Sequence, residues 1–199
     1  MLGRCATPWV TFLDIDEFVV PLEDAGIHEW LATVPDDVST VHVNWRGFGS
    51  SGVSTPGYEF VTRTFEMAAP VEWGNHCHFK SFARTALARE ATAHNIVTES
   101  GRHTLSDFGD FEMTNFGISD RIVYHRIQIN HYQCKTFPEF QARMRNGNGS
   151  FPFGNPNRAR DDSWERFQKL DLNAERNQSI RRFDAALDES LSRIKNFIA

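Results

Sequence analysis

The stretch Trp9–Phe18, WVTFLDIDEF, constrains the fold more than any other. Trp9-Val10-Thr11-Phe12-Leu13 carry no charge and are followed at once by Asp14-Ile15-Asp16-Glu17. A charge-free run of this length reads as a strand buried on both faces. Three carboxylates in four residues are costly inside such a core. They are therefore expected at the strand's carboxyl end, where open α/β sheets place their ligand crevice. With strand geometry continued, Asp14 and Asp16 project to one side and Ile15 to the other. Two carboxylates on one side form a hard-oxygen site suited to Mg²⁺ or Mn²⁺. The alternative is a strand followed by a solvated acidic turn.

Further along, Ile27–Val34 has apolar residues at helical spacing and ends at Pro35. Ser39–Trp45 alternates, with Val41, Val43 and Trp45 on one face and His42 and Asn44 on the other. It runs into Arg46-Gly47-Phe48-Gly49-Ser50-Ser51-Gly52, whose glycines allow close backbone approach and whose amides could cradle oxygens. A plain flexible loop is the competing reading. Asn75–Leu87 alternates too. Cys77, Phe79, Ser81 and Ala83 form a small or apolar face, and His76, His78, Lys80, Phe82 and Arg84 a basic one. A basic strand face beside a metal suits a diphosphate.

Thr98–Ser119 is polar and contains glycine, and reads as a loop or lid. Arg121–Tyr132 reads as a strand that carries His131 at its carboxyl end, on its apolar side. Thr136 and Glu139 form a capping box for a helix to about Arg145, closed by Asn146-Gly147. Ser150–Asp162 reads as a linker. From Ser163 the chain turns helical. Ile180, Phe183, Leu187, Leu191, Ile194 and Ile198 space as one amphipathic helix of about five turns.

The chain has 199 residues, enough for one domain with a small appendage and for a sizeable core. Net charge is −5, which argues against a general nucleic-acid binder. Cys5, Cys77 and Cys134 show neither a disulfide framework nor zinc-type spacing, so a reducing compartment is the simpler reading. No run approaches a transmembrane length, and Met1–Trp9 lacks the apolar core of a signal peptide. The expected location is cytoplasmic, with peripheral membrane association as an option.

In order, the chain offers an apolar strand with D-I-D-E-F, W-R-G-F-G-S-S-G, K-S-F-A-R-T, His94-Asn95, and I-N-H-Y-x-x-K-T-x-x-E-F. This order resembles glycosyltransferase family 92 and the related bacterial family-2-like glycosyltransferases, over about residues 9–149. The resemblance implies an α/β protein: part of a Rossmann-like GT-A fold with a mixed sheet over residues 1–150, and a linker with a C-terminal amphipathic helix over 151–199. It implies an inverting hexosyltransferase acting in polysaccharide synthesis, with a nucleotide-sugar donor (often a UDP-sugar), a glycan or other hydroxyl acceptor, and Mn²⁺ or Mg²⁺. Asp14 and Asp16 take the D-x-D positions. Asp16 is the direct metal ligand, Asp14 contacts ribose or metal-bound water, and His131 is the third protein contribution. Gly49, Ser50 and Ser51 lie by the sugars, and Lys80, Arg84 and Lys135 are diphosphate candidates. An inverting enzyme needs a carboxylate base. Asp110 is the first candidate, with Asp107, Glu112 and Glu59 as rivals.

In such folds about a hundred residues precede the D-x-D strand and hold the nucleotide base. Only thirteen precede Asp14. The expectation is therefore a chain lacking an N-terminal nucleotide-binding segment, or completed by a second chain, and weakly active or inactive alone. Two other readings stand beside it. One is a non-catalytic remnant or binding module. The other is a haloacid-dehalogenase-like phosphatase with Asp14 as nucleophile, which needs a later acidic pair at a strand end; Asp161-Asp162 follows N-P-N-R-A-R, which is not a strand.

Overall fold

A computed structural model describes residues 6–149 and 151–198, the last without its side chain. Cys5, Ser150 and the side chain of Ile198, all used above, lie outside the described residues. The strands are β1 (Trp9–Val10), β2 (Glu17–Pro21), β3 (Val38–Gly47), β4 (Met67–Ala68), β5 (Phe79–Arg84), β6 (Ala88–Ala91), β7 (Ile96–Thr98), β8 (Arg102–Leu105), β9 (Met113–Asn115), β10 (Ile118–Ser119), β11 (Ile127–His131) and β12 (Glu175–Arg176). The helices are α1 (Ile27–Leu31), α2 (Val61–Thr64), α3 (Phe137–Asn146), α4 (Trp164–Leu170) and α5 (Asp184–Ile198). The protein is thus α and β with strands predominating, a mixed sheet and a C-terminal helix. Among the described residues, no helix is long and apolar enough to cross a membrane.

The chain divides into two units: residues 1–47 with 69–133, and residues 48–68 with 134–199. The expected boundary at 150 has no counterpart in this division. The segment 48–68 belongs with the C-terminal third because β4 pairs antiparallel with β12, and Ala174 N–H bonds to Ala68 O (2.9 Å).

In the first unit β3 is the axis of a six-stranded sheet, whose main path runs β1-β5-β3-β11-β2. β5 pairs antiparallel with β3, placing Lys80 opposite Val43 and Ala83 opposite Thr40. β8 pairs parallel with the first half of β3, and β11 pairs parallel with Trp45–Gly47. The alternation read from Ser39–Trp45 holds. Val41, Val43 and Trp45 join Trp30, Phe82, Ile127 and Ile129 in the core. On the other face His42 Nδ1 meets Ser81 Oγ (2.8 Å), and Asn44 Nδ2 donates to His76 O (3.1 Å) and Ser119 Oγ (3.0 Å). Both faces are covered, so His42 and Asn44 are buried with partners, as buried polar groups generally are.

Several expectations fail locally. Trp9–Leu13 is not a strand buried on both faces: β1 holds only two residues at the sheet's edge, and Phe12 and Leu13 are exposed. The acidic residues lie in a turn leading into β2. The segment 98–119 is no lid, because β8 enters the sheet and β9 pairs antiparallel with β10. β11 begins only at Ile127, since Arg126 has a positive φ of 61° that breaks the extended run. Residues 74–77 form a 3₁₀ turn, and β5 is buried on both faces instead of carrying a solvated basic one.

In the second unit α3 matches the capping-box reading. Thr136 N–H (3.3 Å) and Oγ1–H (2.6 Å) both donate to Glu139 Oε2, and Gly147 follows the helix. Phe140, Met144, Phe167 and Cys134 form its core, where burial pushes the Cys134 thiol up to about 12. The long helix expected from Ile180 starts later. Ser179–Phe183 is a 3₁₀ turn, and α5 opens at Asp184, whose carboxylate takes Arg181 and Arg63 (3.3 Å). Residues 171–178 leave the helix begun at Trp164. Asp171 accepts from Ser50 N–H and from Ser50 Oγ (2.9 Å), and Asn173 Oδ1 accepts from Ser51 N–H (2.7 Å).

The same packing explains Gly49. A Cβ there would lie 2.6 Å from Leu172 O and 2.5 Å from Asn173 Oδ1. Gly49→Ala is expected to destabilise by about 1–3 kcal/mol, the usual cost of overpacking. Urea unfolding measures it, and an unchanged midpoint would show that the 172–173 backbone yields freely.

Candidate functional site

The site is built on the first unit, from the acid turn upward. The turn is closed by reciprocal bonds between its ends: Asp14 N–H donates to Glu17 Oε2 (2.8 Å), and Glu17 N–H donates to Asp14 O (3.0 Å). It is therefore not an extended strand, and period-two alternation does not fix its side chains. Ile15 is 98% exposed at its tip.

Lys80 reaches this turn from β5. Its side chain is 2% exposed, and Nζ contacts Asp14 Oδ2 (2.9 Å), Glu17 Oε2 (3.2 Å) and Ala93 O (2.6 Å). An ammonium has three donors. All three point at protein oxygens, so Lys80 ties the turn to β5 and the 92–95 turn and does not stand free for a diphosphate. Glu17 is fully buried, and Oε1 has no hydrogen-bond partner among the described residues. Burial raises its pKa to about 7 against the lowering pull of its bond to the Asp14 amide and of Lys80.

β2 pairs antiparallel with β11, with Glu17 opposite His131. This register carries Asp16 to His131. Asp16 Oδ2 lies 3.8 Å from His131 Nε2, both side chains being over nine-tenths buried. Tyr132 N–H donates to Asp16 O (2.9 Å) and fixes the backbone of the pair. The His131 ring packs on Trp45 at the end of β3 (4.2 Å between centroids). Trp45 also carries His78, stacked at 4.9 Å, and His94 at 5.3 Å. His78 Nδ1 donates to Asn75 O (2.9 Å) and His94 Nδ1 to Phe79 O (3.3 Å); a carbonyl can only accept, so in the neutral rings Nε2 carries no proton. Burial and the Lys80 charge hold His94 below the usual histidine range.

Of the expected site residues, the first unit thus brings together Asp14, Asp16, Lys80 and His131. Arg84 is not with them. It lies beyond Ala83, which pairs with Thr40, and donates to Val38 O (2.8 Å) and Pro35 O (3.1 Å), while Lys80 lies opposite Val43. Asp110 is exposed and pairs with Arg102 (3.4 Å), which registers on Val38 at the opposite end of β3 from Trp45. Asp107 is bound to Arg121 (2.7 Å), and Glu112 is exposed. Gly49, Ser50, Ser51, Glu59 and Lys135 belong to the second unit, where Lys135 has a positive φ of 51°. Asp161 there accepts from Ser163 N–H (2.9 Å), and Asp162 pairs with Arg145 (2.8 Å). Sequence reasoning missed the buried role of Glu17 and the ring floor of Trp45. Glu17 opens the apolar run Phe18-Val19-Val20, which was its available signal.

A Mg²⁺- or Mn²⁺-type ion takes one or two protein carboxylates and fills its shell with water and phosphate oxygens. Neighbouring ligand atoms on an octahedral ion, each roughly 2.1 Å from it, stand about 3.0 Å apart. The Asp16–His131 pair, at 3.8 Å, is wider than that, so the two side chains would have to draw together on an ion. Among the described residues, no three or more His, Cys, Asp or Glu side chains gather to hold an ion by themselves. Neither the protein-family models nor the curated proteins contain a match to this sequence.

Proposed function

We propose that the chain carries a metal-dependent glycosyltransferase site of the GT-A type, moving a hexosyl group from a nucleotide sugar, a UDP-sugar in the first instance, to a hydroxyl of a glycan. One observation carries the reading. Asp16 of D-I-D-E and His131 of I-N-H-Y, distant in sequence, meet at 3.8 Å in a buried pair where β11 ends and the edge strand β2 begins. Asp16 and His131 would hold Mn²⁺ or Mg²⁺, with the rest of the shell left to water and diphosphate oxygens. A bound cation there supplies neutralisation of the charge that builds on the diphosphate leaving group.

The protein's own groups prepare that site. Lys80 fixes the Asp14 carboxylate, which stays 63% exposed and open to a donor hydroxyl. Trp45 holds His131 against rotation by ring contact. His94, held below the usual histidine range by burial and the Lys80 charge and donating through Nδ1 to Phe79 O, presents Nε2 as a further acceptor.

Calorimetric titration of the full chain with UDP-glucose and UDP-N-acetylglucosamine tests the reading, with and without Mn²⁺. Binding is expected only with Mn²⁺, and Asp16→Ala is expected to abolish it. Equal binding by Asp16→Ala, or none in wild type, would overturn the proposal.

A further inference from the structure

The second unit holds an open pocket of about 440 Å³, lined by residues of the 50–54 loop, α3 and α4 and by Asp171. One wall is aromatic. Trp164 is 49% exposed, yet its ring is fixed. It stacks on Phe167 (5.2 Å, 27°) and meets Phe137 at right angles (4.8 Å, 87°). Large aromatic side chains normally hide much of their area. Here two neighbours are spent on holding an indole that remains half open.

The polar lining comes from Ser50, Ser54 and Asp171. The Asp171 carboxylate is itself oriented, accepting from Ser50 N–H, from Ser50 Oγ (2.9 Å) and from Asn173 Nδ2 (2.9 Å). A carboxylate offers about four lone-pair sites, so capacity remains for a donor from a ligand. Ser54 is exposed beside it. No Lys, Arg or His is among the described lining residues.

We propose that this pocket binds a neutral saccharide. A pyranose has an apolar C–H face and a rim of hydroxyl groups. Its weakly positive C–H groups suit the negative π-face of a fixed indole, and its hydroxyls suit an oriented carboxylate and serines. The lone carboxylate, with no lining cation, disfavours phosphates, sulfates and acidic sugars. The volume lies low in the range of small-molecule pockets, which fits roughly one or two sugar rings. Naming that saccharide as the glycan acceptor rests on the transferase reading above; the binding itself does not.

The test is a glycan array carrying neutral and acidic glycans, probed with the full chain, Trp164→Ala, Trp164→Phe and Ser54→Ala, without metal or nucleotide sugar. Wild type is expected to bind neutral glycans. Trp164→Ala should weaken that binding by about tenfold or more, and Trp164→Phe by about threefold. Circular dichroism checks the fold of each variant. Should Trp164→Ala fail to fold, the exposed Ser54→Ala, expected about threefold weaker, decides. Binding of acidic glycans only, binding of no glycan at all, or no effect of the deciding variant would overturn the proposal. Because neither Mn²⁺ nor a nucleotide sugar is present, glycan binding beside a failed Mn²⁺ titration would leave a saccharide site without a transferase.

Discussion

At about pH 9, where Glu17 is ionised, Lys80→Met is expected to lower the unfolding free energy by about 3–5 kcal/mol, the usual cost of stripping one partner from a buried ion pair. Lys80 stands between Asp14 and Glu17 at 2.9 and 3.2 Å, and its side chain is almost wholly covered. Removing the ammonium leaves the Glu17 carboxylate buried, with Oε1 already lacking a hydrogen-bond partner among the described residues. It also strands Ala93 O, which Lys80 satisfies at 2.6 Å. Asp14 contributes less to the penalty, because water reaches it. Lys80→Met combined with Glu17→Gln should recover a large part of the loss, since the stranded charge is then gone. Denaturant unfolding reads both as midpoint shifts at unchanged slope. A single-variant loss below about 1 kcal/mol would place this pair among weak surface bridges.

Glu17 also gives stability a direction in pH. Its folded pKa of about 7 lies above the ordinary carboxyl value of 4.5, so the folded state binds the proton more tightly. The contribution is fully present below about pH 4.5 and is lost as pH rises through about 7. The expected loss over this window is on the order of 3 kcal/mol. Glu17→Gln keeps the shape without the titration and should flatten this part of the profile. Unfolding curves from pH 5 to 8 for both proteins measure it. Parallel profiles would show that another group titrates there.

The most legible parts of the fold were those with their own period or their own cap. Val41, Val43 and Trp45 reached the core as their spacing requires, and Thr136 with Glu139 started α3 where the capping box put it. His131 likewise stands at the end of β11 on the side of Ile127 and Ile129, against Trp45. What failed depends on distant partners. Trp9–Leu13 reads as a buried strand because charge-free composition does not reveal whether both edges find neighbours; only Trp9 and Val10 pair, with Arg84 and Ala83. β8, four residues in a polar stretch, is a strand because β3 offers it an edge. The basic appearance of β5 was misleading for a similar reason. Lys80 is neutralised by an acid turn far away in sequence, and Arg84 donates to carbonyls of the 35–38 segment and pairs with Asp36 (3.8 Å). The segment 48–68 joins the second unit through a two-residue pairing that leaves no periodic trace.

β3 gathers its neighbours from the whole length of its unit. Val43 pairs with Lys80, His42 with Leu105, and Trp45 with Ile129. Each pairing closes a long loop before it gains any contact, the condition that slows folding to the millisecond-to-second range. During synthesis β3 emerges early, and its partner β11 emerges only after the whole of 48–68 has passed. The hydrophobic centre of the sheet then exists as an unzipped edge for much of the chain's elongation, a state prone to pairing with other chains. The position of β3 at the centre of the sheet therefore makes β11, the last strand of that sheet to be made, the step that both seals the sheet and delivers His131 to Asp16.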